Sequence, residues 1–275
     1  MKKLIVAFTA AVTALGGVNL LADPESDRIA FEKYFTTKFP DTPVSDFING
    51  IYSIDKPSRE QWLDIEEFPP YELSIDAGAE AWGTPFANGK SYADCFENDG
   101  AVRGNYPYWD TERQEVITLE LAINECREAN GEKPLKYKKG KMADISAYMA
   151  YQSRGQAINV ALPDEGAVAA YERGKEFYYT KRGQLNFSCF DCHGSGAGNL
   201  VRADKLSPAI GHTSHFPVYR SKWGGMGTLH RRFGGCNGQV RAAAFKAQSQ
   251  EYRELELFLT YMSNGLEYNG PGARK

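Results

Sequence analysis

The chain opens on an apolar block. Leu4 to Leu21 is broken only by threonines, glycines and one asparagine, and it sits between Met1-Lys2-Lys3 and the polar Asp23-Pro24-Glu25. A charged start, an apolar middle and a small residue at Ala22 predict a secretory signal peptide over 1–22. The competing reading is an uncleaved anchor, since Leu4 to Ala22 is just long enough to span a bilayer. The interior glycines and asparagine favour cleavage, and no later stretch is long and apolar enough to cross a membrane. An exported chain without stable membrane insertion is therefore expected, in a periplasm that permits disulfides. Beyond the leader the pattern becomes helical. In EGAVAAYERGKEFYYTKRG, opened by Asp164, the residues Val168, Tyr171, Phe177 and Tyr178 fall on one side, and Gly174 allows another element to approach closely. YRELELFLTYMSNGL predicts a second helix that ends on a glycine cap at Asn264-Gly265.

Between these helices lies Cys189-Phe190-Asp191-Cys192-His193, the C-x-x-C-H spacing of covalent c-type haem attachment. Two thiols one short turn apart can each bond a haem vinyl group, and the adjacent histidine then reaches the iron. A redox-active cysteine pair would be expected to open a helix inside a βαβ pattern, which is absent here. A zinc site would need a second ligand pair. One covalently bound c-type haem is the reading, with Cys189 and Cys192 as attachment points and His193 as proximal ligand.

The same landmarks recur earlier in the chain. Cys126 and Cys236 are 110 residues apart, as are Tyr151 and Tyr261, so each cysteine precedes its tyrosine by 25 residues. Gly78 and Trp82 precede Cys95 much as Gly174 and Phe177 precede Cys192. An internal duplication is expected: a mainly α fold of two tandem cytochrome c-like domains. The first copy places Tyr92-Ala93-Asp94-Cys95-Phe96 where the second has its haem motif, so it lacks one thiol and the histidine. Cys95 and Cys126 are then left over in an oxidising compartment and are expected to form a disulfide. The expected divisions are a signal peptide (1–22), an acidic N-terminal segment (23–72), a haem-less cytochrome c-like domain (73–155) and a haem-binding cytochrome c domain (156–275).

Composition refines this picture little. Lys and Arg number 32 and Asp and Glu 35, a net charge of −3 that argues against nucleic acid as the main partner. The distribution says more. Residues 23–80 hold fourteen acidic and five basic side chains, read as an ordinary solvated face, whereas 201–253 hold nine basic side chains against Asp204 and Glu251. That basic stretch contains RRFGGCNGQVR, which reads as a cysteine between two glycine-flanked turns. By the repeat, Cys236 belongs beside the haem and can supply the sixth ligand; His212, His215, His230 and Met226 are rivals for that place. Arg231, Arg232 and Arg241 would favour the Cys236 thiolate and attract a small dianion. Gly234, Gly235 and Gly238 would let backbone approach closely.

Over nearly the whole mature chain, through GAEAWGTPFANGKSYADC, CREANGEKPL, ISAYMAYQSRGQ, CFDCHG and RRFGGCNGQVRA, the sequence resembles the SoxA family, c-type cytochrome subunits of the sulfur-oxidising system. The resemblance implies pairing with the small monohaem cytochrome SoxX. It implies L-cysteine S-thiosulfotransferase activity, joining thiosulfate to a cysteine of the carrier SoxYZ with release of two electrons. It implies that Cys236 is distal ligand and catalytic sulfur, carried in the family as a persulfide, and that Arg232 binds substrate. Some members hold two haems; this chain lacks the first C-x-x-C-H and so resembles the single-haem type. The rival expectations are a plain periplasmic electron-transfer cytochrome without sulfur chemistry, and a non-catalytic docking subunit whose acidic front is the interaction surface.

Overall fold

In the computed structural model, residues 23–274 are described; the expected signal peptide lies outside the described residues. The helices are α1 (Pro24–Lys38), α2 (Lys56–Glu66), α3 (Glu72–Gly83), α4 (Leu119–Ala129), α5 (Lys141–Gln152), α6 (Glu165–Tyr179), α7 (Leu229–Gln239) and α8 (Gln250–Tyr261). Short strands join them: β1 (Tyr108–Asp110), β2 (Glu115–Ile117), β3 (Leu200–Val201), β4 (Asp204–Lys205), β5 (Val218–Arg220), β6 (Gly225–Gly227) and β7 (Gly272–Arg274). The fold is mainly helical, as expected. Asp164 caps α6 by accepting a hydrogen bond from the Ala167 amide at 2.8 Å. The last helix stops at Tyr261, short of the expected Asn264-Gly265 cap. Gly265, at φ +86°, instead turns the chain so that its N–H reaches the Ile158 carbonyl at 2.9 Å.

Two helix pairs organise the molecule, α3 with α5 and α6 with α8. Each crosses at a glycine. A Cβ on Gly78 would lie 2.2 Å from the Asp144 carbonyl oxygen, and one on Gly174 would lie 2.1 Å from that of Glu254. These four landmarks are related by shifts of 96 and 110, in line with the spacing read from the sequence. The β1–β2 hairpin and α4 recur as β5–β6 and α7, each displaced by 110 residues.

The two halves interlock rather than stand apart. Trp109 and Val116 of the first hairpin enter the core built from Tyr171, Tyr178 and Phe258 of α6 and α8. In return, Met226 of β6 and Ala273 of β7 pack on Ala143 and Ala147 of α5. The contact is reciprocal in its polar bonds too: Thr118 donates to the Gln248 side chain at 2.8 Å, and Thr228 donates to the Tyr137 carbonyl at 2.9 Å.

In the first half, Tyr92 and Phe96, which the expected repeat sets against Cys189 and His193, are buried among Trp82 and Phe86. The Trp82 ring lies 6.0 Å from that of Tyr92 and 6.2 Å from that of Phe96, so these aromatic side chains pack on one another. Cys95 and Cys126 form a disulfide with Cα atoms 5.9 Å apart.

The acidic N-terminal segment departs from expectation. It is a cover on the second half, not a free solvated face. Phe31 and Phe35, one turn apart on α1, are buried against Tyr178, Phe258 and Phe47. Nor do all of its charges face outward: Asp27 accepts from the Tyr171 hydroxyl at 2.9 Å and pairs with Lys175 of α6.

Candidate haem and sulfur site

The C-x-x-C-H segment is held as a tight turn. Ser188 and Asp191 bond reciprocally: Asp191 accepts from the Ser188 amide at 2.8 Å, and the Ser188 hydroxyl accepts from the Asp191 amide at 3.0 Å. Residues Asp191–Ser195 then form a single π-helical turn that carries Cys192 and His193 inward. From outside, Lys38 at the end of α1 donates to the Gly194 carbonyl at 3.0 Å, and Tyr34 and Tyr179 pack on Phe190 with ring centroids 5.7 and 5.2 Å away. The acidic segment thus clamps the motif, a role that charge counting missed; Phe31 and Phe35 at helical spacing were the available signal.

His193 is oriented by its surroundings. Its Nδ1 donates to the Ser207 carbonyl at 2.9 Å, which leaves Nε2 free to point into the pocket. Burial pushes its pKa down to about 4, with Arg232 adding to the fall against the Ser207 hydrogen bond, so the imidazole is neutral at physiological pH and keeps a lone pair. His212 packs edge-on to His193, ring centroids 4.4 Å apart, and is tied to the Ser207 hydroxyl at 2.7 Å.

RRFGGCNGQ is helix α7, not a pair of turns. Thr228 sits at its N-cap position without a side-chain capping bond; its hydroxyl donates instead to the Tyr137 carbonyl and anchors this end in the other half. Three interior glycines each weaken a helix by about 1 kcal/mol relative to alanine. A Cβ on Gly234 would meet Ala244, Lys138 and Tyr252 at 3.7–4.0 Å, but one on Gly235 would meet only Arg232 Nη1 at 4.0 Å, and one on Gly238 would meet nothing within 4 Å. Gly235 and Gly238, three residues apart, therefore leave one side of α7 open. Arg232 and Cys236, four residues apart, share the neighbouring side, with the Arg232 guanidinium at its edge beside Gly235.

Burial pushes the Cys189 thiol up to about 12, with Cys236 as the next cause. Cys192 is raised by burial and then by Cys236, while Arg232 opposes the rise. Cys189 and Cys192 would be thioethers with haem attached, so these shifts matter as markers of proximity: Cys236 and Arg232 lie close enough to act on Cys192.

The rival ligands lie elsewhere. His212 is beside His193; His215 directs Nδ1 at the Ile48 carbonyl, 3.3 Å away. His230 is buried 3.1 Å from Glu256, and Met226 packs under α5. Of the flanking arginines, only Arg232 faces the pocket. Arg231 stacks on Trp223 at 4.2 Å and donates to the Met226 carbonyl at 3.0 Å, and Arg241 is exposed on the left-handed turn after α7. The expectation that all three act on Cys236 is corrected accordingly.

These residues fit a c-type haem. Two half-buried thiols, a neutral histidine with a free Nε2 and a third sulfur converge on one pocket, and the described residues offer no cluster suited to a bare metal ion instead. The comparisons agree. The family model for the SoxA/TsdA cytochrome c domain matches residues 77–158, which is the half without the haem motif. The chain is 56% identical over 276 residues to L-cysteine S-thiosulfotransferase subunit SoxA of Allochromatium vinosum, covering 98% of both chains. It is 55% identical to the subunit of the same name from Chlorobaculum tepidum, covering 99% of this chain and 95% of the relative. Among solved structures it is similar to SoxXA from P. pantotrophus, with TM-score 0.72, 35% identity, and coverage of 78% of this chain and 84% of that one.

Proposed function

Because this chain belongs to the SoxA family of L-cysteine S-thiosulfotransferase subunits, we propose that it conjugates thiosulfate oxidatively to a cysteine of SoxYZ, with Cys236 as the reacting sulfur. The observation that carries this reading is that Arg232 and Cys236 lie one turn apart on α7, close enough to the C-x-x-C-H segment for both to act electrostatically on Cys192. Cys189 and Cys192 would hold the haem through thioethers, and His193 and Cys236 would be the residues that ligate its iron. When bound, the haem supplies a one-electron acceptor.

The protein's own residues supply the rest. Arg232 binds the thiosulfate dianion by charge-assisted hydrogen bonds and turns its outer sulfur toward Cys236. A sulfur–sulfur bond forms between the Cys236 thiolate and that outer sulfur, and two electrons leave. The SoxYZ thiolate then attacks the same outer sulfur; its bond to Cys236 breaks, the carrier keeps the sulfonated sulfur, and Cys236 is regenerated as thiolate. One haem accepts one electron, so the second passes to another haem, which fits a SoxX partner. The open side of α7 at Gly235 and Gly238, next to the side that carries Cys236, gives the carrier its approach. The Cys95–Cys126 disulfide supports work in the periplasm after export.

The test combines the haem-loaded protein with SoxX, SoxYZ and thiosulfate, and follows carrier mass and haem reduction together. The account expects the carrier to gain one thiosulfate unit for every two electrons. Haem reduction with no conjugate on the carrier would support instead an electron-transfer cytochrome without sulfur chemistry of its own.

A further inference from the structure

Strands β5 and β7 are parallel neighbours in the register Val218↔Gly272, Tyr219↔Ala273 and Arg220↔Arg274. Successive side chains on a strand point to opposite faces. Tyr219 and Ala273 pack toward α5, and Val218 lies in the core of the second half, so Arg220 and Arg274 are neighbouring positions on the strand face turned away from α5, where the Arg220 guanidinium lies 5.4 Å from the Trp223 ring centroid.

Arg274 is held there by its neighbours. Its guanidinium lies 4.9 Å from the Tyr52 ring centroid, and Tyr52 is stacked on Trp62 with ring planes 5° apart. Nη1 donates to the Ala273 carbonyl at 2.7 Å. Nε and Nη2 are buried and have no hydrogen-bond partner among the described residues. The nearest carboxylate with an electrostatic influence on it, Glu66, is already occupied: it accepts from the Trp62 indole at 2.7 Å, from the Tyr71 hydroxyl, and from the Ala273 amide at 3.3 Å. Buried guanidinium nitrogens left in this state are destabilising by kilocalories unless an anion meets them.

The place is the rim of the haem pocket. A Cβ on Gly50 would lie 4.0 Å from Arg274 Nε and 3.9 Å from Ser207 Cβ, and Ser207 is the residue that holds His193. Burial lowers the Arg220 pKa to about 10, with Arg232 adding to the fall and Cys236 opposing it. The pair therefore reaches from the His193 side to the Cys236 side, while Arg182 and Arg232 are the arginines that act on Cys189 and Cys192. A c-type haem carries two carboxylates on the edge away from its thioether bonds.

We infer that Arg274 and Arg220 are a built carboxylate site that receives the two propionates of the haem. This rests on the haem reading of C-x-x-C-H. The charges then divide by role: two arginines meet two fixed carboxylates, and Arg232 stays available for the dianionic substrate.

The test uses the haem-loaded full chain as wild type, Arg274→Gln, Arg274→Lys and Arg220→Gln, with attachment checked on every sample by pyridine haemochrome. Resonance Raman reads the propionate bending bands, redox titration the midpoint potential, and steady-state kinetics the thiosulfate KM. Arg274→Gln and Arg220→Gln are expected to shift the propionate bands and lower the potential, because loss of a nearby cation disfavours the reduced haem. Arg274→Lys should recover the potential more than the bands, since lysine keeps the charge and loses the planar fork. If Arg274→Gln fails to fold, Arg220→Gln carries the test alone. Unmoved bands with haem attached, or a raised thiosulfate KM as the sole change, would overturn the assignment. Wild-type protein with no covalent haem would overturn the haem reading itself, and the haemochrome separates that outcome from failure of the arginine pair.

Discussion

Replacing Gly174 with alanine tests the packing that holds the haem unit together. An alanine Cβ would sit 2.1 Å from the Glu254 carbonyl oxygen, 2.7 Å from its carbonyl carbon and 2.9 Å from Phe258 Cβ. An ordinary contact is about 3.5 Å, so α6 and α8 must part by more than an ångström. Two of the obstacles are backbone atoms, which no rotamer change can move. Alanine's better helix propensity returns about 1 kcal/mol. Overpacking costs 1–3 kcal/mol and sometimes more. Parting the helices also weakens the ring contacts of Phe258 with Tyr171 (5.4 Å) and Tyr178 (5.3 Å), each worth about 0.5–1.5 kcal/mol. A net loss of about 2–4 kcal/mol is expected. Denaturant titration of the haem-loaded protein reads it as a lower midpoint at unchanged slope. Gly78→Ala is the paired control: its Cβ would meet the Asp144 carbonyl oxygen at 2.2 Å, so stability should fall similarly while the haem spectrum stays put. A Gly174→Ala protein with an unchanged or higher midpoint would refute the close-crossing argument.

Three further outcomes follow from the same structure. Gly235→Ala should stabilise α7 by about 0.5–1 kcal/mol, since Arg232 Nη1 at 4.0 Å is the only atom its Cβ approaches; carrier turnover should fall, and a gain in both would contradict the access role given to that open side. Reducing Cys95–Cys126, or replacing both with serine, opens a loop of 31 residues, for which the chain-entropy relation gives about 3.7 kcal/mol; denaturation should show a loss of that order with the haem still attached. Asp55, salt-bridged to Lys205 and capping α2 through the Ser58 amide, has a carboxyl pKa held below 3.8 by those hydrogen bonds, with the Lys205 side chain first. Its stabilisation is fully present above the ordinary carboxyl pKa and fades as pH falls through the lower folded value. Asp55→Asn should flatten that part of the acid-stability curve, and an identical curve would contradict the assignment.

The haem motif was legible because its chemistry is local: two thiols and a histidine within five residues require no knowledge of tertiary packing. The paired landmarks were legible for a related reason. Gly78 and Gly174 mark crossings so tight that no side chain fits, and Cys126 and Cys236 keep their register to the closing helix. The sequence misled where local propensity and tertiary use diverge. Gly234, Gly235 and Gly238 suggested turns, yet the bond of Thr228 to Tyr137 and the packing of Phe233 and Leu229 hold the segment as helix and leave Gly235 and Gly238 on an open side. The acidic segment looked like solvated surface because counting charge hides Phe31 and Phe35 on its inner side. Arg231 and Arg232 are indistinguishable as letters. Helical geometry separates them, sending one to Trp223 and the other toward Cys236. Arg274 gave no signal at all, because its partner Arg220 lies more than fifty residues away and is brought beside it only by the β5–β7 register.

The central claim is that the Cys236 sulfur performs the conjugation. It is tested most directly by measuring thiosulfate transfer to the SoxYZ cysteine by mass, using Cys236→Ala protein whose covalent haem has been verified by pyridine haemochrome. The account predicts that the conjugate is lost while the haem remains attached through Cys189 and Cys192. Near-normal conjugation by that haem-loaded variant would contradict it.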